Sequence, residues 1–306
     1  SALEEARLAF QRMEAGDPEV LALWKRFRAS SLEEFGTLYR LLGVSFDQTH
    51  GESKQAPKAE ETIRWLSEKG LVRESEGALI VDLKPYKMTP VLLRKQDGSS
   101  LYHTRDLAEA RDRWEKYNFE RMLYVVGAPQ REHFQQLFKV IELAGAEWAG
   151  RCEHIPFGHY LGMSTREGTA IPLKEVLNRS MELAEAKIRQ NLAEGGTDLP
   201  EAEIPARARQ VGIGAVIFND LRTRRIKDVV FDWEELLNFH GRTGPYLQYA
   251  HARIRSILRK VEAVPPRTPP AETLTEDAEH RLVRMLADFP RQIERAAREC
   301  EPSILA

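Results

Sequence analysis

The feature that most constrains this chain is Met122-Leu-Tyr-Val-Val-Gly127, an uninterrupted apolar run closed by glycine. A run of that length is short for a buried helix and reads as a strand buried on both faces. Ala128-Pro129-Gln130 follows at once, and Phe134, Leu137, Phe138 and Ile141 then recur at helical spacing. A further short strand is expected around His154-Ile-Pro-Phe157. Strand, helix and strand in close succession predict a crossover connection and hence a parallel α/β layer. Ligands of such sheets sit beyond the carboxyl ends of the strands, which points to Gln130 and to the stretch from Gly158 to Gly168.

The flanks read differently. Asp17-Pro18 has the chemistry of a helix start. Leu21, Trp24 and Phe27, then Leu32, Phe35, Leu38 and Tyr39, make the first fifty residues helical. Ala78 to Leu83 and Pro90 to Arg94 are short apolar runs, with Asp97-Gly98 as a hairpin-type turn before a strand at Leu101-Tyr-His103. Thr104 or Asp106 is then expected to cap a helix with Leu107, Ala110, Trp114 and Tyr117 as its stripe. From about Leu173 onward helices dominate, interrupted at Gly195-Gly196, at Gly241 to Gly244 and at the proline-rich Val264 to Pro270. The order is α/β first and all-α after it. A chain of 306 residues fits two domains, or one large domain and part of a second.

Composition excludes some classes. With 42% hydrophobic and 30% charged residues, the chain reads as globular. No apolar run approaches the roughly 18 residues of a membrane span, and Ser1-Ala2-Leu3-Glu4-Glu5 is not a signal peptide. Cys152 and Cys300 are the only cysteines, so no disulfide framework is expected and a reducing cytoplasm fits. The net charge of −2 does not announce a nucleic-acid binder. Its distribution is more telling, because Arg222 to Lys227 is basic and no acid occurs from Arg242 to Lys260. Phosphate responds to such a local patch rather than to the total; a solvated helical face is the plainer alternative.

Specific strings narrow the class further. Gly162-Met-Ser-Thr-Arg-Glu-Gly168 is similar to the second class I signature, KMSKS, in the form often written KMSTRKG among arginyl-tRNA synthetases. Gly244-Pro-Tyr-Leu-Gln-Tyr-Ala-His-Ala-Arg253 is similar to the string that opens that family's anticodon-binding domain. Tyr102-His-Thr-Arg-Asp106, Val125-Val-Gly-Ala-Pro-Gln130 and Gly51-Glu52-Ser53 match in order and spacing. The chain therefore resembles class I arginyl-tRNA synthetases from about Phe46 to its end.

The resemblance implies the second half of a class I Rossmann-type catalytic domain, followed by a helical stem and a partial helical anticodon-binding bundle. It implies catalytic-domain residues over 1–172, a stem-contact region over 173–238 and the start of the anticodon domain over 239–306. The implied reaction joins arginine to ATP as an adenylate and then passes arginine to its tRNA. L-arginine, ATP with Mg²⁺ and arginine tRNA are the implied partners. No structural metal, no membrane and a cytoplasmic, monomeric protein are expected.

Residue by residue, Glu52 and Asp106 align with carboxylates that face the guanidinium, Tyr102 with a ring along the substrate, and Gln130 with the α-amino end. His133, Gly158, Met163 and Ser164 fall to the ATP site, with Ser164 and Arg166 in the catalytic loop. Arg242, Tyr249 and Arg253 fall to the tRNA. The loop departs from the general pattern: Gly162 and Thr165 stand where lysines are usual, Glu167 replaces another, and Arg166 is the nearest cation. Developing phosphate charge needs a cation, so Arg166 or a lysine elsewhere must supply it, or this copy is impaired. No HIGH-like string is present and both ends read as cut, so an incomplete fragment is expected. A non-catalytic tRNA-binding paralogue is the alternative. Taken singly, Asp106 reads as a helix cap, Glu52 as a loop acid, Tyr102 as a strand aromatic, and His133 as a polar first-turn residue.

Overall fold

The computed structural model describes residues 2–14, 16–51, 55–96, 101–162, 168, 170–195, 199–230, 232–233, 238, 241–261 and 271–306. The chain forms two compact units, one of residues 1–47, 164–220 and 232–262, the other of 48–163, 221–231 and 263–306.

The second unit holds the strands. An antiparallel sheet is built from β1 (Val72–Ser75), β2 (Ala78–Val81) and β3 (Val91–Arg94), with Val72 opposite Val81 and Ser75 opposite Ala78. Its first turn is Glu76-Gly77, both at positive φ, the twist a two-residue hairpin needs. Helix α3 (Ala59–Glu68) buries Ala59, Thr62, Ile63 and Leu66, one face at i, i+3, i+4 and i+7 spacing. Helix α4 (Tyr102–Tyr117) buries Leu107 and Ala110 in the same core. Lys58 and Lys116 both meet the Asp112 carboxylate, which is 5% exposed, and their hydrogen bonds lower its pKa to about 2.

The expected crossover unit is present. Strand β4 (Met122–Gly127) runs parallel to β5 (Cys152–Phe157), with Met122 opposite Cys152 and Gly127 opposite Phe157. Between them, helix α5 (Arg131–Leu143) buries Phe134, Leu137, Val140 and Ile141. Strand β6 (Tyr160–Leu161) lies parallel to β7 (Val229–Val230).

Two expectations fail here. Strand β4 is covered on one face only: Met122 is buried, whereas Leu123 and Val125 are exposed. Among the described residues its sheet has two strands, and these residues cover β4 on one face. Neither Thr104 nor Asp106 caps α4, which begins at Tyr102 where a strand was expected. The Thr104 hydroxyl donates instead to the Leu93 carbonyl of β3, at 2.6 Å. Asp97-Gly98 lies outside the described residues.

Helix α9 (Asp277–Glu299) starts with the Glu279 carboxylate accepting from the Thr275 and Glu276 amides at 2.9 Å, and ends at Cys300 in the left-handed region. The Arg225 guanidinium holds this end, donating to the carbonyls of Cys300 at 2.9 Å and Pro156 at 2.5 Å.

The first unit is helical: α1 (Ala2–Glu14), α2 (Pro18–Leu42), α6 (Leu173–Ala193), most of α7 (Ile204–Arg222) and α8 (Gly244–Lys260). Asp17 caps α2 as expected, accepting from the Glu19 and Val20 amides. The start of α8 rests on α7 so closely that a Cβ at Gly244 would lie 2.8 Å from the Gly214 carbonyl. Leu247, Ile254, Ile257 and Leu258, aligned on one face of α8, are exposed. No helix among the described residues is long and apolar enough to cross a membrane.

Candidate functional site

The candidate site lies at the carboxyl ends of β4 and β5, where an α/β layer leaves backbone groups and helix starts open to a ligand. Beyond β4, Ala128–Gln130 form a single 3₁₀ turn and α5 begins at Arg131. That short connection places Gln130 at the strand's end, exposed, and His133 in the first turn of α5. Helix α4 brings Tyr102 and Asp106 one turn apart, i and i+4, on adjacent levels of one side.

Asp106 and His133 meet. Nε2 of His133 is 2.7 Å from Oδ2 of Asp106, with the imidazole 11% and the carboxylate 33% exposed. An ionised carboxylate only accepts, so with Asp106 charged the bond runs from Nε2–H to Oδ2. His133 is packed among rings: Tyr102 at 5.2 Å, His103 at 4.4 Å and Phe134 at 5.0 Å between centroids. Its Nδ1 is buried and has no hydrogen-bond partner among the described residues.

His103 extends the cluster inward. It is buried, and a ring nitrogen lies 3.3 Å from Oε1 of Gln136, whose amide donates to the Thr89 carbonyl at 3.0 Å. Burial first, and the neighbouring His133 second, press its pKa down from 6.5 to about 4. Phe134 stacks on His154 at 4.6 Å, tying the start of α5 to β5. Tyr102 stays half exposed at the cluster's mouth.

Beyond β5 the chain is held by backbone contacts. The Gly158 amide donates to the Arg225 carbonyl at 2.7 Å, and Val229 donates to the His159 carbonyl at 2.8 Å. A Cβ at Gly158 would lie 2.3 Å from the Lys227 carbonyl, so no other residue fits without moving that segment. The His159 amide donates to Asp228 at 2.8 Å, and its Nε2 approaches Gly127 at the end of β4.

Of the residues expected from the sequence, Tyr102, Asp106 and His133 are brought into one cluster. Gln130 and Gly158 stand at the ends of β4 and β5. Arg242, Tyr249 and Arg253 belong to the helical unit, and all three are exposed. Glu52, Met163, Ser164 and Arg166 lie outside the described residues. His103, His159 and Asp228 also lie around the candidate site and were not among the residues expected. His103 sits inside the Tyr102–Asp106 string and was open to notice, whereas the His159–Asp228 contact spans 69 positions.

Comparison with known proteins decides the family. The model described as tRNA synthetases class I (R), catalytic domain, matches residues 2–233. The chain belongs to the class I arginyl-tRNA synthetases. The DALR anticodon binding domain matches residues 247–306. Arginine–tRNA ligase of Latilactobacillus sakei is 46% identical over 309 residues, 99% of this chain and 53% of that protein. The corresponding ligase of Clostridium botulinum is 43% identical over 306 residues, with the same shares. The chain thus spans about half the length of the synthetases it matches.

Solved structures agree on the fold. Arginyl-tRNA synthetase from Plasmodium falciparum superposes with a TM-score of 0.81 at 23% identity, over 96% of this chain and 51% of that one. The Thermus thermophilus synthetase gives 0.76 at 23% identity, over 96% and 57%. The resemblance carried by five short strings is therefore a family membership, and the α/β-then-α reading holds for this synthetase chain.

Proposed function

We propose that this chain carries the arginine pocket, part of the ATP site and the start of the tRNA-binding helices of an arginine–tRNA ligase. The observation that carries the reading is the Asp106 carboxylate, held through Oδ2 by His133 and flanked by the half-exposed Tyr102. A carboxylate with one oxygen fixed and the other free suits a planar, cationic guanidinium. Tyr102 offers a ring face beside it, which a guanidinium also favours. Glu52 is proposed as a second carboxylate for the guanidinium. Gln130, at the end of β4, would receive the polar α-amino end of arginine.

In the reaction so derived, a carboxylate oxygen of arginine attacks the α-phosphorus of ATP. The bond to the bridging oxygen breaks, pyrophosphate leaves, and arginyl-adenylate remains. The terminal ribose hydroxyl of the tRNA then attacks the arginyl carbonyl and AMP departs. This chain's part is to fix the side chain and amino group of arginine at the strand ends, which turns an encounter into an oriented attack. Gly158, Met163 and Ser164 are proposed for the nucleotide, and Ser164 and Arg166 for the signature loop; His133, expected at the nucleotide too, has its Nε2 on Asp106 and its Nδ1 buried. Mg²⁺ would arrive bound to the ATP phosphates.

The tRNA side rests on the anticodon-domain match and on α8, where Tyr249 and Arg253 are exposed and no acid interrupts the helix. Cations meet phosphate while an exposed aromatic stacks on an unpaired base; Arg242, just ahead of α8, is proposed to join them. Catalytic, stem and anticodon segments over 1–172, 173–238 and 239–306, and a cytoplasmic, monomeric protein, complete the proposal. The test is arginylation of purified tRNA with ATP, Mg²⁺ and labelled arginine, scored beside binding of arginine tRNA against another tRNA. Charging, or selective arginine tRNA binding together with arginine binding, supports the reading. Selective tRNA binding with no affinity for arginine would instead favour a binding paralogue.

A further inference from the structure

Any hydrogen-bond donor can hold a carboxylate. What distinguishes the donor at Asp106 is that it is an imidazole with one nitrogen sealed away from water. A carboxylate meant for a cationic substrate loses its purpose if its own anchor cancels its charge. A lysine or arginine at the anchor position would do so; a neutral imidazole would not.

The buried Nδ1 meets no partner among the described residues, so a second proton there would leave a donor unsatisfied in the interior. The adjacent ring is a second histidine, His103, at 4.4 Å. It is itself buried and held through Gln136 and Thr89 rather than by an acid. With the single proton on Nε2, the Asp106–His133 pair keeps a full negative charge.

We propose that His133 is a positioning residue that fixes Asp106 as a neutral Nε2–H donor and so preserves the site's preference for a charged guanidinium over a neutral isostere. This rests on the reading of Asp106 as the guanidinium carboxylate. The discriminating ligand is L-citrulline, which matches arginine in shape but carries a neutral ureido group.

Two measurements test it. The first reads the His133 ring by ¹⁵N chemical shifts and long-range couplings in the unaltered chain at neutral pH. The expected result is a proton on Nε2 and a bare Nδ1, with the pattern shifting in Asp106→Asn. A doubly protonated ring, or a proton on Nδ1, overturns the proposal. The second compares arginine and citrulline binding in His133→Gln and His133→Lys. Glutamine keeps a neutral donor and should hold the arginine preference within about threefold. Lysine sets a permanent charge against Asp106 and should lower that preference by about tenfold or more, the scale of one charged hydrogen bond. Equal losses for both ligands in both variants would mark a merely structural residue and overturn the proposal. Asp106→Asn isolates the underlying reading. If it leaves arginine binding unchanged, the pocket reading falls on its own, and the tautomer alone decides how His133 holds Asp106.

Discussion

A carboxylate can hold a guanidinium only if its direction and charge are both settled before the ligand arrives. Asp106 gains its direction from His133, and His133 gains its own from packing among Tyr102, His103 and Phe134. The cluster has a consequence for acid stability. His103 is pressed to about 4 in the folded chain against an ordinary value of 6.5. Between those values the unfolded chain binds the extra proton and the folded chain does not. Stability from this group is therefore whole above about 6.5 and falls as pH drops toward 4. A His103→Asn variant should lose less stability over that interval than the parent, measured by urea unfolding at successive pH values. Parallel slopes for the two proteins would contradict the burial of this ring.

At the scale of elements, the sequence announced some features and hid others, for physical reasons. Helices α5 and α8 carry their own periodicity, and β4 and β5 their own apolar runs, so each could be read locally. The start of α4 could not, because the Thr104 hydroxyl serves a strand carbonyl rather than its own helix. In the site, Tyr102, Asp106 and Gln130 stand in recognisable strings. Their partners are set by long-range contacts that no local pattern reveals. The strap formed by Arg225, Lys227 and Val229 across the end of β5 is the clearest case. Gly158→Ala forces a methyl group into the Lys227 carbonyl, and the strap must yield. The expected cost is about 1–3 kcal/mol, the usual penalty of overpacking, with faster amide exchange at Gly158 and Val229. Exchange rates equal to the parent's at both amides would show that the close approach is not maintained in solution.

At the scale of the molecule, a net charge of −2 coexists with a helix, α8, that carries only cations. Association with RNA should therefore fall steeply with salt even though the protein is nearly neutral. Arg253→Ala is expected to weaken tRNA binding and to reduce the slope of log affinity against log salt by about one, the share of a single phosphate contact. A slope unchanged within error would place Arg253 in support of the helices rather than at the RNA. The proposed arginine pocket makes a sharper demand. Equilibrium dialysis of labelled L-arginine against the chain and its Asp106→Asn variant tests it most directly. Loss of a charge-assisted bond should weaken binding by about tenfold or more while the variant keeps its fold. Unchanged affinity in a folded Asp106→Asn protein would contradict the assignment of this carboxylate to the guanidinium.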